Sequence, residues 1–174
     1  ELSIAMVSLQ FFYRKKAILM EKSAITKVEC NDQIIQVKLL NVEKNSLFVG
    51  NIFKDISLCG VNIDMISQVM LEDEMRIDFT CDLKDQKKLN DALEKVKEKH
   101  HRIMIYENRN VAKINVEGKQ MKDEVGVAAD IFEILGKQQI PLLQVTTSEI
   151  SISYVIPKEF MDKAVNEIKK AYLL

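Results

Sequence analysis

The chain has 174 residues, 47% of them apolar, with 25 Lys+Arg against 26 Asp+Glu and a formal net charge of −1. That suits one medium domain or two small ones with a real core, and the balanced, interspersed charge excludes the basic footprint of a duplex-binding protein. Five glycines, none within two residues of another, exclude a G-x-G-x-x-G loop and a P-loop; Cys30, Cys59 and Cys81 lack C-x-x-C spacing, which argues against a zinc site or disulfide framework and fits a reducing, cytoplasmic setting.

The sequence opens on Glu1 rather than Met, as a piece of a longer protein would. Leu2–Tyr13 is apolar in patches, but Ser8 and Gln10 interrupt it and Arg14-Lys15-Lys16 follow it. A secretory signal carries its charge ahead of the apolar run, and a spanning helix needs about 20 apolar residues. Residues 1–22 therefore read as a helical or linker remnant, with no membrane partner. Next comes AITKVEC (24–30), which alternates as a strand but has no partner close by in sequence.

Residues 34–40 (IIQVKLL) form a short β-branched run, and Phe48, Ile52, Phe53, Ile56 and Cys59 then recur at helical spacing. Asn45 or Ser46 is placed to cap that helix and Gly60 to end it. Strands are expected at 62–70 (NIDMISQVM) and 75–81 (MRIDFTC), joined by an acidic LEDE turn. A helix over 84–99 carries Leu89, Ala92, Leu93 and Val96 on one stripe, and 102–107 (RIMIYE) closes the series. The order is β-α-β-β-α-β.

The order then recurs. Val111–Val116 reads as a strand, Ala128, Ile131, Phe132 and Leu135 as a helix stripe starting near Asp123 or Glu124, and Pro141–Thr147 and Glu149–Ile156 as strands. A last helix carries Met161, Ala164, Val165, Ile168 and Tyr172, with Pro157 suited to its first turn. Residues 52–68 lie over 131–147 at a shift of 131 − 52 = 79, and 75–79 over 150–154 at a shift of 75. One register held over a helix and two strands signals an internal repeat. Phe53 and Phe132 fall in equivalent core positions. The second copy lacks a fourth strand, and an open sheet edge is a liability. The unpartnered strand at 24–30 is thus expected to cross over and complete the second unit, leaving the first unit inserted within it.

In the second copy, Met121, Val125-Gly126-Val127, the string Val145-Thr146-Thr147-Ser148-Glu149-Ile150-Ser151-Ile152-Ser153 and Ala164-Val165 to Ala171-Tyr172 follow one another in an order that resembles the regulatory region of aspartate kinase, built from tandem ACT domains. In the first copy NIDMISQ (62–68) and IDFTC (77–81) are similar to that family's first ACT unit, and AITKVE (24–29) to its opening strand. The likeness implies an α+β fold of two ferredoxin-like βαββαβ units, with 32–107 as the first unit and 23–31 plus 108–174 as the second. It departs from the family at Lys44-Asn45-Ser46-Leu47, where D-x-P-G is usual, and at Val125, where Pro is usual. The kinase signature, a Lys-Phe-Gly-Gly-Ser/Thr strand and loop, is absent from the sequence. The resemblance therefore implies a sensor with no catalytic residues of its own, for a parent that phosphorylates L-aspartate with ATP. ATP and Mg would belong to that parent's kinase domain, and this chain would bind no cofactor or metal.

An amino-acid effector brings a carboxylate and an ammonium. Unsatisfied N–H groups at a helix start suit the carboxylate, pointing to Asn45, Ser46, Leu47, Phe48 and Val49 in the first copy and to Asp123, Val125, Gly126 and Val127 in the second. For the ammonium, Asp64 is the favoured partner, beside Ile63 and with Gln68 expected on the same strand face. The likeness places the Thr147-Ser148-Glu149 turn near the effector, implies lysine first (Phe48-Val49 resembles the Phe-Leu of lysine-sensing members) and threonine second, and implies a homodimer through the ACT units and an attached kinase domain. Blander readings stand beside these. Asp64 could be a solvated strand-end acid, Ser46 a cap, Thr147-Ser148 a turn; His100-His101 read as surface histidines and Glu72-Asp73-Glu74 as a solvated turn. A βαββαβ order also describes an RNA-binding module, but such a module stacks bases on strand aromatics, and 34–40 has none while 75–80 has only Phe79. A regulator of another amino-acid enzyme carrying the same module is the remaining alternative.

Overall fold

The computed structural model describes residues 24–174, so the expectation for residues 1–22 lies outside the described residues. In chain order the elements are β1 (Lys27–Asn31), β2 (Ile34–Val42), α1 (Ser46–Leu58), β3 (Ile63–Met70), β4 (Met75–Asp82), α2 (Gln86–Lys99), β5 (Met104–Asn108), β6 (Val111–Glu117), α3 (Val127–Lys137), β7 (Gln144–Thr147), β8 (Ser151–Pro157) and α4 (Met161–Tyr172). They form two four-stranded antiparallel sheets, ordered β3-β4-β2-β5 and β1-β6-β8-β7. Each is the ferredoxin-like arrangement, and β1 supplies the second sheet's missing strand by pairing with β6, Lys27 opposite Glu117 and Asn31 opposite Lys113.

The crossing strand is locked in by burial and by one glycine. Ala24 and Ile25, just ahead of β1, are buried in the second unit's core. A Cβ on Gly118, at the end of β6, would stand 1.6 Å from the Ala24 carbonyl oxygen. Only glycine lets the two backbones approach so closely.

Alternation sorts each strand's residues between two layers. Ile35, Val37 and Leu39 of β2, with Ile77, Phe79 and Cys81 of β4, pack against α1 and α2. Ile114, Val116, Ile152, Tyr154 and Ile156 do the same against α3 and α4. The opposite faces of the two sheets meet each other, burying Ile34 and Met65 against Val111 and Val155. The helices thus lie outside and the sheets form a seam between the units. The seam is partly polar: buried Gln36 donates to Gln144 at 3.2 Å, and Gln144 donates to the Asp78 carbonyl at 3.3 Å.

Several boundaries differ from expectation. β7 starts at Gln144 rather than Pro141, β5 at Met104 after a turn at His101-Arg102, and β8 at Ser151. Pro157 ends β8 instead of opening a helix; a short 3-10 turn, Lys158–Phe160, intervenes before α4. Phe53 and Phe132 are equivalent, packing edge-on against Phe79 and Tyr154 with ring centroids 5.9 and 5.8 Å apart. They sit at the rims of the cores, however, and Phe132 stays exposed.

Candidate functional site

The first helix start is closed by its own cap. The Asn45 side-chain oxygen accepts from the backbone N–H of Leu47 at 2.9 Å and of Phe48 at 3.1 Å, and the Val49 N–H bonds the Asn45 carbonyl. Asn45, not Ser46, is therefore the cap, and it uses two of the N–H groups that a ligand carboxylate would seek. Leu47 is exposed; Phe48 and Val49 are half-buried against the first core, and the Phe48 ring stacks at a tilt on His100 at 4.5 Å.

The second helix start is different. Gly126 precedes α3 in the left-handed region (φ 103°), and no side chain caps the helix. Gly126, Thr147, Ser148 and Glu149 meet around a shallow cleft of about 250 Å³. Val127 also lines it but is buried in the second core, so it offers backbone only, and Val125 and Asp123 are exposed beside it. Ser148 is occupied in the turn itself: its hydroxyl accepts from the Ser151 N–H at 3.0 Å and lies 2.7 Å from the Ser151 hydroxyl.

Asp64 is solvent-exposed but ion-paired, and it is not beside Gln68. Between Ile63 and Ile66, Asp64 and Met65 of β3 stand opposite the single residue Thr80 of β4, a β-bulge that breaks the alternation. Asp64 and Met65 both turn toward the seam, where Asp64 accepts from the Lys113 ammonium and Met65 packs on the second sheet. Gln68 lies opposite Ile77 and so on the helix side, with its amide directed at Met70 sulfur. The shared face expected for Asp64 and Gln68 is thus corrected by the bulge. Ile63 is half-buried against the first core. Asp64 also lies far from the Asn45 turn: α1 has 13 residues, about 20 Å of helix, and Asp64 follows its far end. Within one chain the structure does not bring them together.

One cleft was not anticipated. The β2–α1 loop, the β3–β4 turn and the α2–β5 loop surround a cavity of about 630 Å³, lined by Glu43, Phe48, Asp73, Glu74, His100, His101 and Arg102 among others. The acidic turn and the paired histidines, read from sequence as solvated, converge there. The available signal was topological, since in a βαββαβ unit these three loops share one end. Among the described residues no group of His, Cys, Asp or Glu is placed to hold a metal ion.

The titratable groups shifted most are structural. Burial pushes the Cys81 thiol up to about 12, which leaves it protonated, and pushes the Tyr172 phenol up to about 12. Burial raises Asp78 above the usual carboxylate range against the opposing pull of Arg76 and Lys38. Its neighbour Arg76 is close, with Nε 3.2 Å from the Asp78 carboxylate, but out of line for a hydrogen bond.

Comparison with known proteins fits this picture. Residues 114–172 match the ACT domain family model. The class of the protein follows from the fold and this match: two ferredoxin-like units, the first inserted in the second, with the ACT match lying in the second unit. Over 160 residues the chain is 31% identical to the aspartokinase of Geobacillus stearothermophilus, covering 91% of this chain and 38% of that protein. A crystal structure of aspartokinase alpha and beta subunits matches with TM-score 0.79 and 25% identity, over 86% of this chain and 99% of that one. The ligand-free regulatory subunit of aspartate kinase from Thermus thermophilus gives TM-score 0.79 and 22% identity, over 85% and 98%. The chain spans about 38% of the length of the curated relatives it matches. It is a match to the regulatory ACT region of aspartokinases.

Proposed function

We propose that this chain senses an amino acid on behalf of a cytoplasmic aspartate kinase, the enzyme that phosphorylates L-aspartate with ATP, with lysine as the feedback effector and threonine as second choice. The supporting observation is Asp64: its carboxylate remains 44% exposed and already holds a primary ammonium of the lysine type, that of Lys113. A lysine effector presents the same group.

Because the Asn45 turn and Asp64 occupy opposite ends of the first unit, a binding site that uses both takes one from each of two copies. The exposed edge of β3, with Ile66, Val69 and Met70 uncovered, is the surface on which a second copy would pair. In that arrangement the effector's carboxylate meets the Ser46 N–H and the positive end of α1, and its ammonium meets the partner copy's carboxylate. The cleft at Gly126, Thr147 and Glu149 is the equivalent position in the second unit, with its helix N–H groups uncapped. Binding shifts the attached kinase only to the extent that the effector prefers one arrangement of the units over another.

The RNA-binding alternative loses its one aromatic candidate, since Phe79 is fully buried beneath the helices. Isothermal titration calorimetry with L-lysine, L-threonine and L-methionine, singly and paired, tests the proposal. Lysine is expected to bind wild type and to lose measurable binding in Asp64→Ala, with circular dichroism confirming that the variant is folded. No heat from any of the three would refute the sensing role, and binding of an unrelated amino acid alone would assign the module to another enzyme.

A further inference from the structure

We propose that Lys113 is a built-in competitor for the effector's ammonium, and that its displacement carries the binding signal from the first unit to the second. This rests on the reading of Asp64 as the effector's acid.

Lys113 lies in the middle of β6 on the face turned toward the seam, two residues from buried Val111. Its side chain is only 20% exposed, against 44% for Asp64. Holding a charged group that deep costs desolvation unless a partner offsets it. Among the described residues Asp64 is the one group the Lys113 ammonium contacts. The pair therefore joins the two units through the acid that the effector needs.

A ligand ammonium arriving at Asp64 meets an occupied carboxylate, and the exchange leaves the Lys113 ammonium without its counter-charge. The structure offers it a second berth. Lys113 also lines a cleft of about 250 Å³ with Glu29, Cys30 and Asn31 of β1 and with Asn115. The carboxylate there, that of Glu29, pairs with the exposed ammonium of Lys27 at 2.8 Å, and the carboxamides of Asn31 and Asn115 stand beside it, all on the second unit. Moving Lys113 from Asp64 to this berth exchanges a contact between units for one within the second unit, so effector occupancy and the tie between the units become alternatives.

Selectivity follows from the same exchange. Any ligand that brings a primary ammonium to Asp64, whether the side-chain ammonium of lysine or the α-ammonium of an amino acid, replaces like with like, whereas a ligand that presents only a hydroxyl or a carboxylate there cannot neutralise the acid that Lys113 would leave. Because the competitor is tethered, it raises the apparent dissociation constant by the inverse of the fraction of time Asp64 is free.

Calorimetric titration of L-lysine into the full chain bearing Lys113→Met, Lys113→Arg or Asp64→Asn tests this, with circular dichroism melts as the control for folding. Removing a partly exposed ionic competitor is expected to tighten binding about fivefold in Lys113→Met. Lys113→Arg, which keeps the cation, should bind no tighter than wild type, and Asp64→Asn should lose binding. Loss of binding in Asp64→Asn with unchanged or weaker binding in Lys113→Met overturns the competitor and leaves the sensing role intact. Unchanged binding in Asp64→Asn removes the role of Asp64 and the competitor with it. A readout on wild type alone covers the case of a variant that misfolds. Amide NMR shifts on lysine addition should reach Glu29, Cys30 and Asn115, and shifts confined to residues 45–68 would overturn the proposal.

Discussion

In the first unit, four strands and two helices follow one another along the chain, whereas the second borrows the strand that precedes the first unit. The two also begin their leading helices differently: Asn45 caps α1 with two hydrogen bonds, while α3 opens at Gly126 with no cap. At equivalent central positions the first core holds Phe79 and the second Tyr154, whose hydroxyl is buried with no hydrogen-bond partner. Each difference weakens the second unit. Its sheet depends on a distant strand, its helix start is open, and its core carries an uncompensated polar group. The comparison suggests a firm first unit joined to a second that yields more easily, which is a useful division of labour in a relay.

Three perturbations bear on that contrast, the most severe first. Gly118→Ala puts a methyl group into the Ala24 carbonyl. It is expected to destabilise the second unit by more than about 3 kcal/mol, the range of severe backbone clashes. Hydrogen exchange should show protection lost over 111–117 and 151–157 and retained over 34–42; equal loss in both units would show that they do not differ in their dependence on β1.

Exchanging the two core aromatics is a finer test. Phe79→Tyr buries a hydroxyl in the first core at a cost of about 2 kcal/mol, whereas Tyr154→Phe removes one from the second and stabilises it by up to about 1 kcal/mol. Opposite signs in thermal melts support the asymmetry, and a loss in both variants would remove it.

The smallest effect concerns the seam. Asp78 has a raised pKa in the folded chain, so its contribution to stability is fully present below its unfolded value, near 4, and is lost as pH rises through the folded value. Asp78→Asn should therefore melt higher than wild type at pH 7, with the gap closing as pH falls toward 4. A gap that stays constant with pH would mean the carboxyl is not perturbed by burial.

Much of this architecture could be read from the residues. The repeat at shifts of 79 and 75 and the lone strand at 24–30 led to the crossover, because an unfilled sheet edge needs a partner. Asn45 and Gly60 marked the ends of α1 through ordinary capping chemistry, and Gly60 adopts a positive φ of 77°. The site was less legible. A bulge has no compositional mark in NIDMISQ, and it sent Asp64 to the seam and Gln68 to the helix side. Lys113 is one of many lysines until the sheets are stacked, and the cleft at Glu43 and Arg102 gathers residues from three loops distant in sequence. These features depend on how layers meet, and alternation within one strand carries no record of that.

The Gln36–Gln144 contact has a further consequence for how the sheets can slide. Each carboxamide sits among apolar neighbours and has its match in one alignment, and the Gln36 carbonyl oxygen already lacks a donor. A shift by one residue pair would strand both amides against Ile34 or Val155 side chains. The interface therefore behaves as a detent, holding one setting until enough force accumulates to release it outright.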